Sequence, residues 1–404
     1  MTRRFALVSV LLSLFVVSLP ARQAAKPYFP PAGKWEARDG AAIGFDKAKL
    51  DEAIAFVKTR ENQRTKDLAV DIPQTFGNEA PYNNLIGPTQ VRAGMNGVVI
   101  HKGYVAATWG DVDRADMTFS VTKTFLSTVV GEAVEAGKIK SIDDKVAGYM
   151  PKGVDLFTSE HNAKITWNQL LRQTSDWSGE LFTKPDWADR PPRGQSPEQW
   201  KQRAMVEPGA KHEYNDVRVN VLSLATLHVM KEPLPVVLKR QIMDPIGASD
   251  TWRWEPYTNS KVEIAGRTIA SVPGGGHFGG GMFINAWDMA RFGYLFLRDG
   301  NWNGQQLVQP AWIKMARTAT VTEDGSGNSY GFMNWYLNDP AARPDGTRPN
   351  PRLPGLPKTA VEFVGNGNNY VYVDQENDLV IVVRWISGSG GEFYNKVVGS
   401  LQQR

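Results

Sequence analysis

The sequence predicts an α+β fold in which an antiparallel sheet takes strands from both ends of the chain, is flanked by helices, and receives a mainly helical region inserted between its two halves. Three observations carry this expectation. Gly97–Ile100 and Tyr104–Trp109 read as two strands around the turn His101-Lys102-Gly103. Near the C-terminus, Val361–Val364, Tyr370–Val373 and Leu379–Trp385 read as successive antiparallel strands joined by Gly/Asn and Asp/Asn turns. Between these ends, apolar residues recur at helical spacing. The sheet part is expected over residues 40–115 and 358–404, and the helical part over 116–357. With 404 residues, 42% of them hydrophobic, the chain is large enough for one large domain or two modest ones.

Taken in order, Arg3-Arg4, an apolar run from Phe5 to Leu19 and Pro20-Ala21 form the pattern of a secretory signal peptide over residues 1–24. The run is short for a membrane span. The expected location is therefore periplasmic or secreted, with no stable membrane span once the signal is cleaved; an uncleaved membrane anchor is the alternative. Residues 25–43, rich in Pro, Gly and Ala, form an N-terminal arm. Asp46 caps a helix whose stripe is Leu50, Ala53, Ile54 and Val57. No clear period appears from Asp67 to Arg92.

After the hairpin, Phe125, Leu126, Val129, Val130, Ala133 and Val134 mark a buried amphipathic helix ending before Gly137. Thr166–Arg172 reads as a short helix. Asp176–Trp200 is a long irregular connection holding Trp177, Trp187 and Trp200; a loop covering the core and a wall of the active site are equally good readings. Val217, Val221, Leu224 and Leu227 suggest another buried helix, which places Tyr214 at a loop-to-helix junction. Gly274–Gly281 reads as a flexible crossing, and Asn285 caps an amphipathic run from Met289 to Leu297 that stops at Gly300.

The chemistry centres on Met117–Lys123. If a helix opens there, Ser120 and Lys123 share one face, and a serine hydroxyl meets an amine. A lysine takes the serine proton only if burial or a nearby cation keeps it neutral. A position near a helix N-terminus disfavours an ammonium and favours an oxyanion. Ser120 is the one serine in the chain with a lysine three residues on.

Other chemistries lack residues. The chain has no cysteine, which removes disulfides and thiolate catalysis. No zinc-protease, P-loop or dinucleotide motif is present. Of the formal net charge of +4, Arg3, Arg4 and Arg22 supply three in a stretch without an acid, so the basic balance gives no support for nucleic-acid binding. His212, two residues before Tyr214, and His277 in the glycine run are lone loop histidines, a pattern more often structural.

Ser120-x-x-Lys123, Tyr214-Asn215-Asp216 and Gly365-Asn366-Gly367 come in the order and spacing of the three motifs of the penicillin-recognising serine hydrolases, and Leu170–Ser175 and Asp288–Gly293 resemble further segments of that family. The chain most resembles its class C β-lactamase, D-alanyl-D-alanine carboxypeptidase and esterase branch, which includes 6-aminohexanoate-oligomer hydrolases. The resemblance implies a β-lactamase/transpeptidase-like fold over roughly residues 40–404 and no cofactor or metal. It implies Ser120 as acylated nucleophile, Lys123 as its proton acceptor and Tyr214 as general base or proton relay. The backbone N–H groups of Ser120 and Asn368 would form the oxyanion hole. Gly365, Asn366, Gly367 and Asn215, with Trp177 from the tryptophan-rich segment, are the candidate substrate contacts. The tyrosine motif ends in Asp216 where many members have Asn. The third motif lacks the Lys or His, and the Thr or Ser, of penicillin-binding members. The expected substrate is therefore a small ester or amide, with a β-lactam or D-Ala-D-Ala peptide as the alternative. A catalytically silent member that binds peptidoglycan or a partner is the alternative of another kind.

Overall fold

The computed structural model describes residues 27–333 and 335–402; the expected signal peptide lies outside them. The main sheet is antiparallel, in the spatial order Tyr336–Leu337, Val361–Gly365, Asn369–Asp374, Leu379–Arg384, Asn96–His101, Tyr104–Trp109. Its two halves join where Asn96–His101 pairs with Leu379–Arg384, Asn96 facing Arg384 and His101 facing Leu379. The expected sheet built from both ends is thus present.

Side chains along a strand alternate between faces, so a strand covered on both sides is apolar throughout. Leu379–Val383 shows this. Val380 and Val382 enter the larger core with Val98, Ile100, Val371, Phe292 and Phe363. Leu379, Ile381 and Val383 enter a second core with Val99, Tyr372, Leu50, Val57, Phe393 and Val397. The second face is covered by the helices Lys47–Lys58 and Gly391–Gly399, which pack on each other. Asp46 caps the first by accepting from the Lys49 N–H. The first face is covered by Ala286–Leu297, capped as expected by Asn285, which accepts from the Asp288 N–H at 2.8 Å.

The inserted region is built on two buried helices in contact, Thr122–Glu135 and Asp216–Met230. Thr166 and Gln169 form a capping box for the short helix Trp167–Leu171. Leu68–Thr75, capped by Asp67, is a helix where the sequence shows no clear period. Among the described residues no single helix is long and apolar enough to cross a membrane.

A small antiparallel sheet joins these layers next to the nucleophile motif. Asp116–Met117 pairs with Gly281–Ile284, which pairs with Arg253–Glu255. Arg384, fully buried on the main sheet, clamps this junction. Its guanidinium donates to the carbonyls of Asp116 (2.9 Å), Met117 (2.8 Å) and Ile284 (2.6 Å), and to Asn369 Oδ1 (3.0 Å). Such multiple donation by a planar fork fixes the strand that leads into Ser120.

Candidate active site

Ser120 lies on a 3-10 turn, Phe119–Val121, that runs straight into the helix Thr122–Glu135. The turn is held by Thr118 N–H donating to Met282 O at 2.9 Å. Phe119 is left-handed, with φ 50°, a costly conformation for a bulky residue. Its ring is locked among Leu68, Ile72, Met117, Phe283 and Trp385, which supply the packing that imposes it. The helix Leu68–Thr75, absent from the sequence reading, is thus part of what holds the nucleophile turn in shape.

Lys123 Nζ lies 2.6 Å from Ser120 Oγ and 2.6 Å from Asp216 Oδ1. Lys123 is fully buried, whereas Ser120 keeps 8% exposure. Burial pushes the Lys123 pKa down, aided by Arg190 and opposed by Asp216. The Tyr214 ring lies 4.8 Å from Lys123 Nζ, and the Ser120 side chain is among the groups that act on its phenol. Burial, then the charge of Asp216, raises the Tyr214 pKa, so the phenol is protonated at rest. Tyr330 and Tyr336 extend this aromatic side: Tyr330 packs edge-on against both Tyr214 and Tyr336.

Gly365 closes a strand of the main sheet and approaches the nucleophile turn so closely that a Cβ on it would lie 2.2 Å from the Thr118 carbonyl oxygen. Residues 366–368 form the turn to the next strand. Asn366 Oδ1 accepts from Arg64 Nη1 at 3.0 Å. Gly367 packs on the Trp385 ring, and Asn368, at φ 61°, donates its side-chain amide to Ile386 O at 2.9 Å. The third motif therefore packs against the turn that carries Ser120.

Two expected substrate contacts lie elsewhere. Trp177 is 2% exposed and donates its indole N–H to Leu156 O at 2.7 Å, a core side chain. Asn215 is fully buried because it is the N-cap of Asp216–Met230: it accepts from Arg218 N–H at 3.0 Å and donates to Asp186 O at 2.7 Å. His212 is structural, as expected; burial holds its pKa down to about 4.

The structure adds a network that the motifs do not contain. Asp216 Oδ2 faces Arg190 Nη1 at 2.5 Å and His277 Nδ1 at 3.2 Å. His277 Nε2 lies 2.7 Å from Glu79 Oε2 and 3.6 Å from Asp189 Oδ1. Arg190 Nη1 also meets Asp189 Oδ1 at 2.8 Å, and Asp189 Oδ2 accepts from the Asp216 N–H. Lys123 and Arg190 hold Asp216 well below the usual carboxylate range although burial acts the other way. Burial dominates at Asp189, raising it to about 6. The segment Gly274–Gly281 is buried rather than a flexible crossing. A Cβ on Gly275 would lie 2.2 Å from Asp216 Oδ1 and 2.5 Å from Lys123 Nζ, so only glycine leaves room for the ion pair. Donor atoms of Glu79, Asp189 and His277 lie within 4.8 Å of one another. Arg190 already supplies the positive charge in that group, and we assign no metal there.

Asp176–Trp200 covers the core, and it also contributes to the ion network around Asp216. Its first half is core and buried ion pairs, while Asp189 and Arg190 reach the site.

Comparison with known proteins agrees with this geometry. Residues 79–393 match the family model described as Beta-lactamase. Beta-lactamase-like protein 4 of Dictyostelium discoideum is 25% identical over 280 residues, 60% of this chain and 48% of that protein. The chain spans 40% to 48% of the length of the curated relatives it matches. Two solved structures share the fold: a putative beta-lactamase from Bacteroides dorei (TM-score 0.55, 15% identity, 88% of this chain and 99% of that one) and EstCE1, described as a hydrolase with promiscuous acyltransferase activity (TM-score 0.52, 16% identity, 88% and 99%). With the family model covering most of the chain over a β-lactamase/transpeptidase-like fold, this protein belongs to the Beta-lactamase family.

Proposed function

We propose that the protein is an exported serine hydrolase that cleaves small neutral esters or amides through an acyl-enzyme on Ser120. The observation that carries this reading is the contact of 2.6 Å between Ser120 Oγ and the buried Lys123 Nζ, with the Tyr214 ring 4.8 Å from that amine. Ser120 Oγ attacks the carbonyl carbon as its proton passes to Lys123. The oxyanion is held by the Ser120 N–H and an N–H of the 366–368 turn, Asn368 being the expected donor. Tyr214 relays the proton to the leaving alcohol or amine, the carbonyl reforms, and water releases the acid by the same steps in reverse. The apolar run Phe5–Leu19 supports export to the periplasm or medium.

The preference for neutral substrates rests on the third motif. Gly365 and Asn366 offer no cation. The arginine that does reach the motif, Arg64, is already matched to Asp71, through Nε at 2.8 Å and through Nη2. Its charge is therefore compensated before a substrate carboxylate arrives. Lacking a charge-assisted contact should cost about 1.5–3 kcal/mol, or roughly ten- to a hundredfold in binding.

A hydrolysis panel of short p-nitrophenyl esters, linear amides, nitrocefin and D-Ala-D-Ala peptides tests the reading, run with wild type and Ser120→Ala. Neutral esters or amides should exceed the carboxylate-bearing substrates by about the same factor, and Ser120→Ala should lose both turnover and the single covalent adduct seen by intact mass after fluorophosphonate treatment. Efficient nitrocefin or peptide turnover with negligible esterase activity would replace this assignment by a β-lactamase or carboxypeptidase. No adduct and no turnover on any substrate would favour a silent binding protein.

A further inference from the structure

We propose that His277, buried between Glu79 and Asp216, is a positioning residue that weakens the hold of Asp216 on the Lys123 proton and so lets Lys123 act as the base. The proposal rests on the hydrolase reading above and adds a residue to its proton-transfer apparatus.

The surroundings of His277 favour its charged form. Nε2 lies 2.7 Å from Glu79 Oε2 and 3.6 Å from Asp189 Oδ1, and Nδ1 lies 3.2 Å from Asp216 Oδ2, an ion-pair contact without hydrogen-bond alignment. Three carboxylates this close stabilise the imidazolium over the neutral ring. The carboxylates around it outweigh burial and Arg190, and the His277 pKa is raised.

Asp216 is then a carboxylate pulled from two sides. Oδ1 faces Lys123, and Oδ2 faces Arg190 and His277. A carboxylate next to an ammonium stabilises the ammonium, which works against general-base catalysis by Lys123. Cations on the far oxygen reduce that effect. The charge count shows how much depends on His277. The cluster holds three carboxylates, Glu79, Asp189 and Asp216, against Arg190, His277 and Lys123. With His277 charged and Lys123 neutral, a net charge of about −1 remains in a buried site; with both neutral it would be about −2, a state that a low-dielectric interior strongly opposes. The groups facing His277 from every side are Glu79 from the turn after Leu68–Thr75, Asp189 and Arg190 from the irregular segment, and Asp216 from its helix. The Phe76 ring lies 3.8 Å away, and Lys184, beyond Phe278, is the next cation outward. Gly275 keeps the Lys123–Asp216 contact clear of side chains.

The test is the pH profile of kcat/KM for a p-nitrophenyl ester, with the pH dependence of Ser120 labelling by a fluorophosphonate as a second readout. The acid limb reports loss of the Lys123 proton. In His277→Gln the limb should move to higher pH by about one unit, so that labelling at a fixed pH on the limb slows about tenfold while KM is little changed. Glu79→Gln, which keeps the imidazole but removes the partner that charges it, should move the limb the same way by less, and it serves if His277→Gln does not fold. Asp216→Asn should move it to lower pH. A uniform drop in rate with the limb unmoved, or a limb that moves down in His277→Gln, would overturn the proposal while leaving the hydrolase reading intact. Absence of any Ser120 label in wild type would instead remove the hydrolase reading, and this inference with it.

Discussion

Two buried ion clusters lie side by side at the start of the helix Asp216–Met230, and they are built from different cations. In the first, Arg218 Nη2 meets Asp176 Oδ1 at 2.9 Å and Asp186 Oδ2 at 3.0 Å, Arg203 meets the same two carboxylates at 2.8 and 3.1 Å, and Arg218 Nη1 reaches Glu213 at 3.3 Å. In the second, Lys123, His277 and Arg190 face Asp216, Asp189 and Glu79. Both clamp the irregular segment after Ser175 onto that helix. An arginine keeps its proton at any working pH and offers a planar fork, so the first cluster is a fixed fastening. Lysine and histidine release protons when their surroundings change, so the second can store and move them. The comparison teaches that burial and ion pairing alone do not mark the site; the titrating cations do.

The largest effect should come from erasing that difference. Lys123→Arg keeps the charge beside Asp216 but removes a proton that can leave, so turnover should fall by about two to four orders of magnitude, as it should in Tyr214→Phe. Steady-state rates, with circular dichroism confirming the fold, check this; near-normal turnover in Lys123→Arg would show that the Lys123 proton never moves. The converse change belongs to the other cluster. Arg218→Leu leaves Asp176 and Asp186 with one cation in place of two, and breaking a buried pair in this way costs about 3–5 kcal/mol of stability. Urea unfolding should report that loss, whereas the pH limb of the surviving folded enzyme should stay in place.

A smaller effect separates His277 from two other buried histidines. His101 and His212 are held down to about 4, His101 by burial and then Lys102, His212 by burial. Their folded pKa values lie below the unfolded one, so the stability they contribute is complete above about pH 6.5 and is lost as pH falls towards 4, by up to about 3 kcal/mol each. His277, with its pKa raised, has the opposite sign: its contribution is complete at low pH and is lost as pH rises through its folded pKa. Urea midpoints should therefore fall less steeply between about pH 6.5 and 4 in His101→Phe or His212→Phe, whereas His277→Gln should change the profile above about pH 6.5, by removing a loss that the wild type shows as pH rises.

The legible parts of this molecule are those with short-range signals. The hairpin at 96–109, the late strands and the Asp46 and Asn285 caps were readable because alternation and capping are local. Leu68–Thr75 was not, since it has eight residues and carries Pro73 inside it. Ser120, Lys123 and Tyr214 were found through motif spacing, and the structure brings them together. Trp177 was misplaced because composition shows that an aromatic is present but not which way it points. Asn215 had a readable signal that was missed, an Asn directly before a helix. Glu79, Arg190 and His277 come from three separate loops, and no local pattern links them. For His277 the one hint was a lone histidine among glycines that remove the side chains around it.

The pairing of Asn96–His101 with Leu379–Arg384 has a consequence in time. The inner strand of the sheet has Tyr104–Trp109 beside it at once, but it lacks its other partner until Leu379–Arg384 has been made. At about 5–20 residues per second, His101 waits roughly 15–55 s for Leu379. Contacts so distant in sequence also form slowly once both partners exist, because a long loop must close first. Arg384 tightens the dependence, since the clamp beneath the Ser120 turn arrives with the same strand. The nucleophile is therefore among the last features of this fold to be set in place, although Ser120 itself is made long before that strand.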